Sequence, residues 1–173
     1  MDDLSSEPRS SVQASRTAGF IVASVGALLM GGGATATWIT VGIANESAHT
    51  PIRGTDLPDG VVVLLCAILA LAAVIATRIA GSSSARKALG ALVAVAGLVA
   101  GTTGAAFLVG GKDRDTVIEA LGIPRDMWSQ FGAFRDLGPG AYLALIGGLF
   151  GVFGGLMMML WAVTADRGRP DAA

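Results

Sequence analysis

Four stretches of the chain, 17–45, 60–77, 88–111 and 137–165, carry no charged residue and run for 29, 18, 24 and 29 positions. Charged residues are confined to the ends and the connectors. About 20 apolar residues of helix cross a hydrocarbon core roughly 30 Å thick. The pattern therefore predicts four transmembrane helices, over 18–41, 60–77, 88–110 and 139–163. The second reaches only about 27 Å at 1.5 Å per residue, enough to cross with little tilt, and Arg78 at its end can extend its guanidinium outward. Trp38 reads as an interfacial anchor closing the first span, and Tyr142 and Trp161 as anchors at the two ends of the fourth. Pro139 suits the first turn of that fourth helix, where a missing N–H is harmless. A cleaved signal peptide ending at Ala34-Thr35-Ala36 is the rival reading of the first stretch. The run is longer than the usual 7–15 apolar residues, roughly, and its flank is acidic as well as basic. The expected fold class is an all-α integral membrane protein: a four-transmembrane-helix bundle over 17–165, between a disordered tail at 1–16 and a short tail at 166–173.

The connectors differ in what they ask for. The third, 112–136, exceeds what joining two spans requires. Asp115 can cap a short helix that Gly122 ends. Pro124 can open a second, amphipathic helix over 124–134, with Met127, Trp128, Phe131 and Phe134 on one side at spacings of three and four. That face suits capping of the outer end of the bundle, docking of a partner, or a lid. The first connector reads as a turn around Pro58, with Asp59 capping the second span. Asp56 and Asp59 offer too few oxygens for a calcium ion.

Composition sharpens the class. The chain is 53% hydrophobic and 14% charged with a mean hydropathy of +0.65, whereas average soluble domains carry about 25% charge. A soluble enzyme and a disordered chain are both excluded. Net charge is −1, which gives no electrostatic case for nucleic acid. Cys66 and His49 each stand alone, so neither a disulfide nor a Cys/His metal site is expected. Arginine greatly outnumbers lysine, and with the abundant glycine and alanine this reads as a GC-rich bacterial genome. Positive residues are densest in the link with Arg86 and Lys87 and at the two ends, so the positive-inside rule places both termini in the cytoplasm of a bacterial plasma membrane. Lys112, Arg114, Arg125 and Arg135 in the third connector dissent.

Chemistry is scarce. No Asp, Glu, Lys, Arg or His lies inside a span, whereas pumps and ion-coupled transporters place such groups there. The polar groups that do, Ser24, Thr35, Thr102 and Thr103, can bond to their own helices. No catalytic, cofactor-binding or metal-binding residue is expected. Glycine is the visible motif. Gly147, Gly151 and Gly155 recur every four residues, Gly97 and Gly101 repeat the spacing, and Ala27 and Gly31 lead into Gly32 and Gly33. Small residues at this spacing let helices approach backbone to backbone, within one bundle or across a homo-oligomer seam. Gly31-Gly32-Gly33 reads as a flexible or kinked point in the first helix. The partners expected are the lipid bilayer and a membrane protein or second copy. The expected role is structural or interactive, as an accessory component of a cell-envelope assembly. A passive channel or a lipid-binding protein, acting as an oligomer, is the alternative.

Certain segments carry a resemblance. Thr37-Trp38-Ile39-Thr40-Val41 closes the first span, Asp59-Gly60 opens the second, and Gly138-Pro139-Gly140-Ala141-Tyr142-Leu143-Ala144-Leu145-Ile146-Gly147-Gly148 begins the fourth, with Gly154-Gly155 further on. In this the chain resembles small actinobacterial four-span proteins, and is similar in style to the tryptophan-associated transmembrane proteins. The resemblance implies a four-span fold, and it implies no functional residue.

Overall fold

The computed structural model describes residues 7–43, 49–110 and 133–167. Four helices dominate: α1 (Glu7–Thr35), α2 (Pro58–Ile79), α3 (Ser83–Val109) and α4 (Pro139–Arg167). All four are long and apolar enough to cross a membrane. Each packs with two neighbours, in the order α1, α2, α3, α4 and back to α1. Both ends of the described chain and the short α2–α3 link lie at one end of the bundle, the terminal end.

Burial inverts the soluble rule. Alanines fill the interior, among them Ala23, Ala70, Ala100, Ala141 and Ala144, each with no exposed surface, while Leu28 and Leu160 are 66% exposed. Lipid tails are as apolar as leucine, so large side chains gain nothing by turning inward; close packing of small ones holds the helices together. Among the described residues no polar or charged side chain is buried. The hydroxyls of Ser24, Thr35, Thr102 and Thr103 donate to carbonyls of their own helices, at 2.8–3.2 Å.

The other end of the bundle carries a three-stranded antiparallel sheet that an all-helical reading does not contain. Its strands are β1 (Thr37–Ile43), β2 (His49–Arg53) and β3 (Ala133–Leu137), in the order β2-β1-β3. The expected first span, 18–41, is thereby corrected. The membrane-crossing part of α1 is Thr17–Thr35, and the residues beyond it are the centre of the sheet. Thr37, Ile39, Thr40, Val41 and Ile43 are β-branched, stiff in a helix and well fitted to a strand. The ladder slips at Trp38: Thr37 faces Arg53 and Ile39 faces Ile52. Trp38 is the extra residue of a β-bulge, which lets it and Ile39 both be buried. Pro51 sits on an edge strand, where its missing N–H is tolerated. At the other boundary of α1, the helix already runs from Glu7 within the segment read as a disordered tail, with Pro8 in its first turn.

Three further expectations change at the sheet end. Trp38 is fully buried rather than anchored among lipid headgroups. Its indole Nε1–H donates to the carbonyl of Gly33 at 2.8 Å, and its ring meets Phe107 edge-on at 4.6 Å between centroids. Asp59 does not cap α2: Leu57 holds that position without a side-chain bond and Pro58 opens the helix. Proline removes one of the N–H groups that would need a cap. Phe134, placed by periodicity at the end of an amphipathic helix, stands in β3 opposite Gly42. The rest of that expected helix, with Met127, Trp128 and Phe131, lies outside the described residues.

The run Gly31-Gly32-Gly33 lies within continuous helix, and its three members meet different surroundings. A Cβ at Gly32 would touch nothing within 4 Å, whereas one at Gly33 would fall 2.7 Å from the backbone nitrogen of Ala144. Adjacent substitutions should therefore act in opposite directions. Gly32→Ala is expected to stabilise the protein by a few tenths to about 1 kcal/mol through helix propensity. Gly33→Ala is expected to cost about 1–3 kcal/mol by overpacking. Unfolding midpoints in mild detergent check this; shifts of the same sign would contradict the packing described.

Candidate functional site

The glycines singled out by spacing all lie on helix faces that meet a neighbour, but the seams follow a different repeat. On α4, Gly140, Gly147 and Gly154 face α1, where the matching positions are Gly33, Gly26 and Ala23. The adjoining face carries Ala141, Gly148 and Gly155, which meet Gly104, Gly97 with Gly101, and Gly90 of α3. Each set recurs every seven residues, the repeat that a left-handed crossing of about 20° keeps in register. A methyl group at Gly147 would come within 2.6 Å of the Met30 nitrogen, and one at Gly148 within 2.5 Å of the Gly101 backbone. Gly151 sits between the two faces, its Cβ position 3.0 Å from the Gly97 Cα and 3.6 Å from the Met30 methyl. Gly101 has room, at 3.6 Å, while Gly97 and Gly155 approach backbone atoms at 2.6–2.7 Å. Of the α1 members of the seam, Gly33 belongs to the visible triplet Gly31-Gly32-Gly33, whereas Gly26 and Gly19 stand apart from it and carry no such signal.

At the terminal end a cavity of about 200 Å³ is lined by residues from all four helices. Thr17 and Phe20 come from α1, Thr77 and Arg78 from α2, Arg86 from α3 and Trp161 from α4. Each arginine is held over an aromatic face. The Arg78 guanidinium carbon lies 3.9 Å from the Phe20 ring centroid, and that of Arg86 lies 5.4 Å from the Trp161 ring. Both distances are within the range of cation–π attraction. The Arg86 Nε–H also donates to the carbonyl of Ala80 at 3.1 Å, which fixes the plane of the guanidinium. The described residues lining the cavity bring two guanidinium groups, the hydroxyls of Thr17 and Thr77, and no carboxylate; the Thr77 hydroxyl donates to the Val74 carbonyl at 2.6 Å. Sequence alone gives Arg78 a place at the end of a span and Arg86 a place in a positive link, and nothing in their spacing shows that they converge.

A closed bundle with small residues inside, large apolar ones outside and four membrane-length helices defines a multi-pass helical membrane protein. No recognised constellation for catalysis accompanies it among the described residues, and no group of three or more His, Cys, Asp or Glu is placed there to hold a metal. The chain matches the tryptophan-associated transmembrane protein family over residues 20–170 and belongs to it. No curated protein matches the chain.

Proposed function

We propose that the protein is a non-catalytic interaction subunit of a cell-envelope assembly, held in a bacterial plasma membrane with both termini and the Arg86–Lys87 link in the cytoplasm. The observation that carries this reading is the sealed interior. Glycine seams bring α4 against α1 and α3, and no polar or charged side chain is buried among the described residues. A conductive path needs hydrated polar groups across the membrane, and an ion-coupled carrier needs ionisable ones within its spans. The surfaces left for recognition are at the two ends, and at the outer end the long third connector feeds strand β3. Its segment from Met127 to Phe134, with Trp128 and Phe131, is the proposed docking face. Aromatic side chains are the usual anchors of such faces.

Two experiments test this. Reporter fusions after Lys87 and after Ala173 should both signal a cytoplasmic location, and a periplasmic signal from either would reverse the orientation. A photo-crosslinking residue at Trp128 or Phe134 should yield a discrete protein adduct in native membranes, while one at lipid-facing Leu149 should not. Equal yields at all three positions would end the accessory reading.

A further inference from the structure

We propose that the arginine cavity at the terminal end of the bundle binds a phosphate-bearing anion, presented either as a phospholipid headgroup or as a soluble phosphate ester. The site does not depend on whether the outer sheet meets a partner.

The composition of the cavity points to an anion. Two guanidinium groups converge from α2 and α3 with no carboxylate among the described lining residues, and they are the donors on offer, because the Thr77 hydroxyl beside them already donates to the Val74 carbonyl at 2.6 Å. Guanidinium is the planar, permanently charged fork that matches phosphate oxygens in pairs, and it is more weakly hydrated than an ammonium. The arginines are also preorganised. Stacking on Phe20 and Trp161, with the Arg86 Nε–H held by Ala80, reduces the side-chain freedom that binding would otherwise remove. Because Nε of Arg86 is committed to that carbonyl, its terminal amino groups are the ones to meet an anion.

Position and size narrow the class. Arg78 is in the last turn of α2 and Arg86 in the first turn of α3, so the site lies at the depth of headgroups and not within the hydrocarbon. Basic pockets between helix ends at this depth are suited to anionic lipid headgroups. At about 200 Å³ the cavity is below the roughly 300–1,000 Å³ of pockets that enclose drug-sized ligands. It fits a phosphate and its immediate ester carbons. Phe20, Trp161 and the flexible Met158, which also lines the cavity, offer apolar contact to those carbons.

The test uses the full chain, purified in detergent and stripped of lipid, titrated separately with phosphatidylglycerol, phosphatidylcholine and glycerol 3-phosphate. Binding is read by native mass spectrometry and by the unfolding midpoint. Each arginine near a membrane surface contributes roughly fivefold, so phosphatidylglycerol should be preferred over zwitterionic phosphatidylcholine by about 30-fold. Arg78→Gln combined with Arg86→Gln should bring that preference close to parity. Arg86→Lys, which keeps the charge but loses the fork, should weaken binding severalfold. Stabilisation by phosphatidylglycerol alone identifies a lipid headgroup; stabilisation by glycerol 3-phosphate, with competition between the two, identifies a soluble ester. If wild-type protein prefers neither anion, a result that needs no variant, the proposal is overturned. A preference that persists unchanged in the folded double glutamine variant overturns it as well.

Discussion

Gly148→Leu is expected to lower the unfolding midpoint further than any substitution on the lipid-facing side of α4. Even the first carbon of the new side chain would land 2.5 Å from the Gly101 nitrogen and Cα and 2.6 Å from the Gly97 carbonyl oxygen. These are backbone atoms of another helix, so no rotamer change relieves the collision. α3 must withdraw, and the dispersion contacts along the whole seam weaken together. Alanine at Gly148 should cost about 3 kcal/mol, the upper end of ordinary overpacking, and leucine more. Gly151→Ala should cost less, because its nearest side-chain neighbour is the adaptable Met30. Leu149→Ala, at a position 52% exposed, should change little. The order Gly148, Gly151, Leu149 in thermal unfolding is the measurement; its inversion would remove the two-faced seam.

The second large effect is expected at Trp38. The last carbonyls of a helix lack N–H partners from the next turn, and α1 ends at Thr35. The indole N–H takes up one of them, Gly33, while the ring fills the space between Gly54, Gly140 and Phe107. Trp38→Ala leaves a cavity and an unsatisfied carbonyl together, and should cost about 3–5 kcal/mol. Trp38→Phe keeps most of the ring and should cost about 1–3 kcal/mol through the lost hydrogen bond. Near-UV circular dichroism and unfolding midpoints of the two variants separate the terms. A midpoint equal to wild type in Trp38→Ala would show that the sheet is not tied to the bundle there.

The four spans were legible because a charge in hydrocarbon is so costly that its absence over 18 or more residues is itself a signal. The sheet was not. Thr37–Ile43 continues the uncharged run of the first span without a break, so hydropathy extends the helix through it. The alternation that marks a strand is broken by the bulge at Trp38, and one of its two partners, Ala133–Leu137, lies far along the chain. Glycine as packing material was visible. Its geometry was not, because Gly147, Gly151 and Gly155 catch the eye every four residues while the contacts run every seven. Arg78 and Arg86 each had a sufficient local explanation. Only the closing of the bundle brings Phe20 and Trp161, 141 positions apart, beneath them.

The position of α4 in chain order bears on how the protein is made. It is the last of the four helices to leave the ribosome, yet both glycine seams run along it, and strand β3 immediately precedes it. Until it inserts, α1 and α3 face lipid with grooves along their surfaces, and β1 has one open edge at the membrane surface. The three-helix nascent chain is thus an assembly intermediate whose recognition faces are complementary to a helix still inside the translocon.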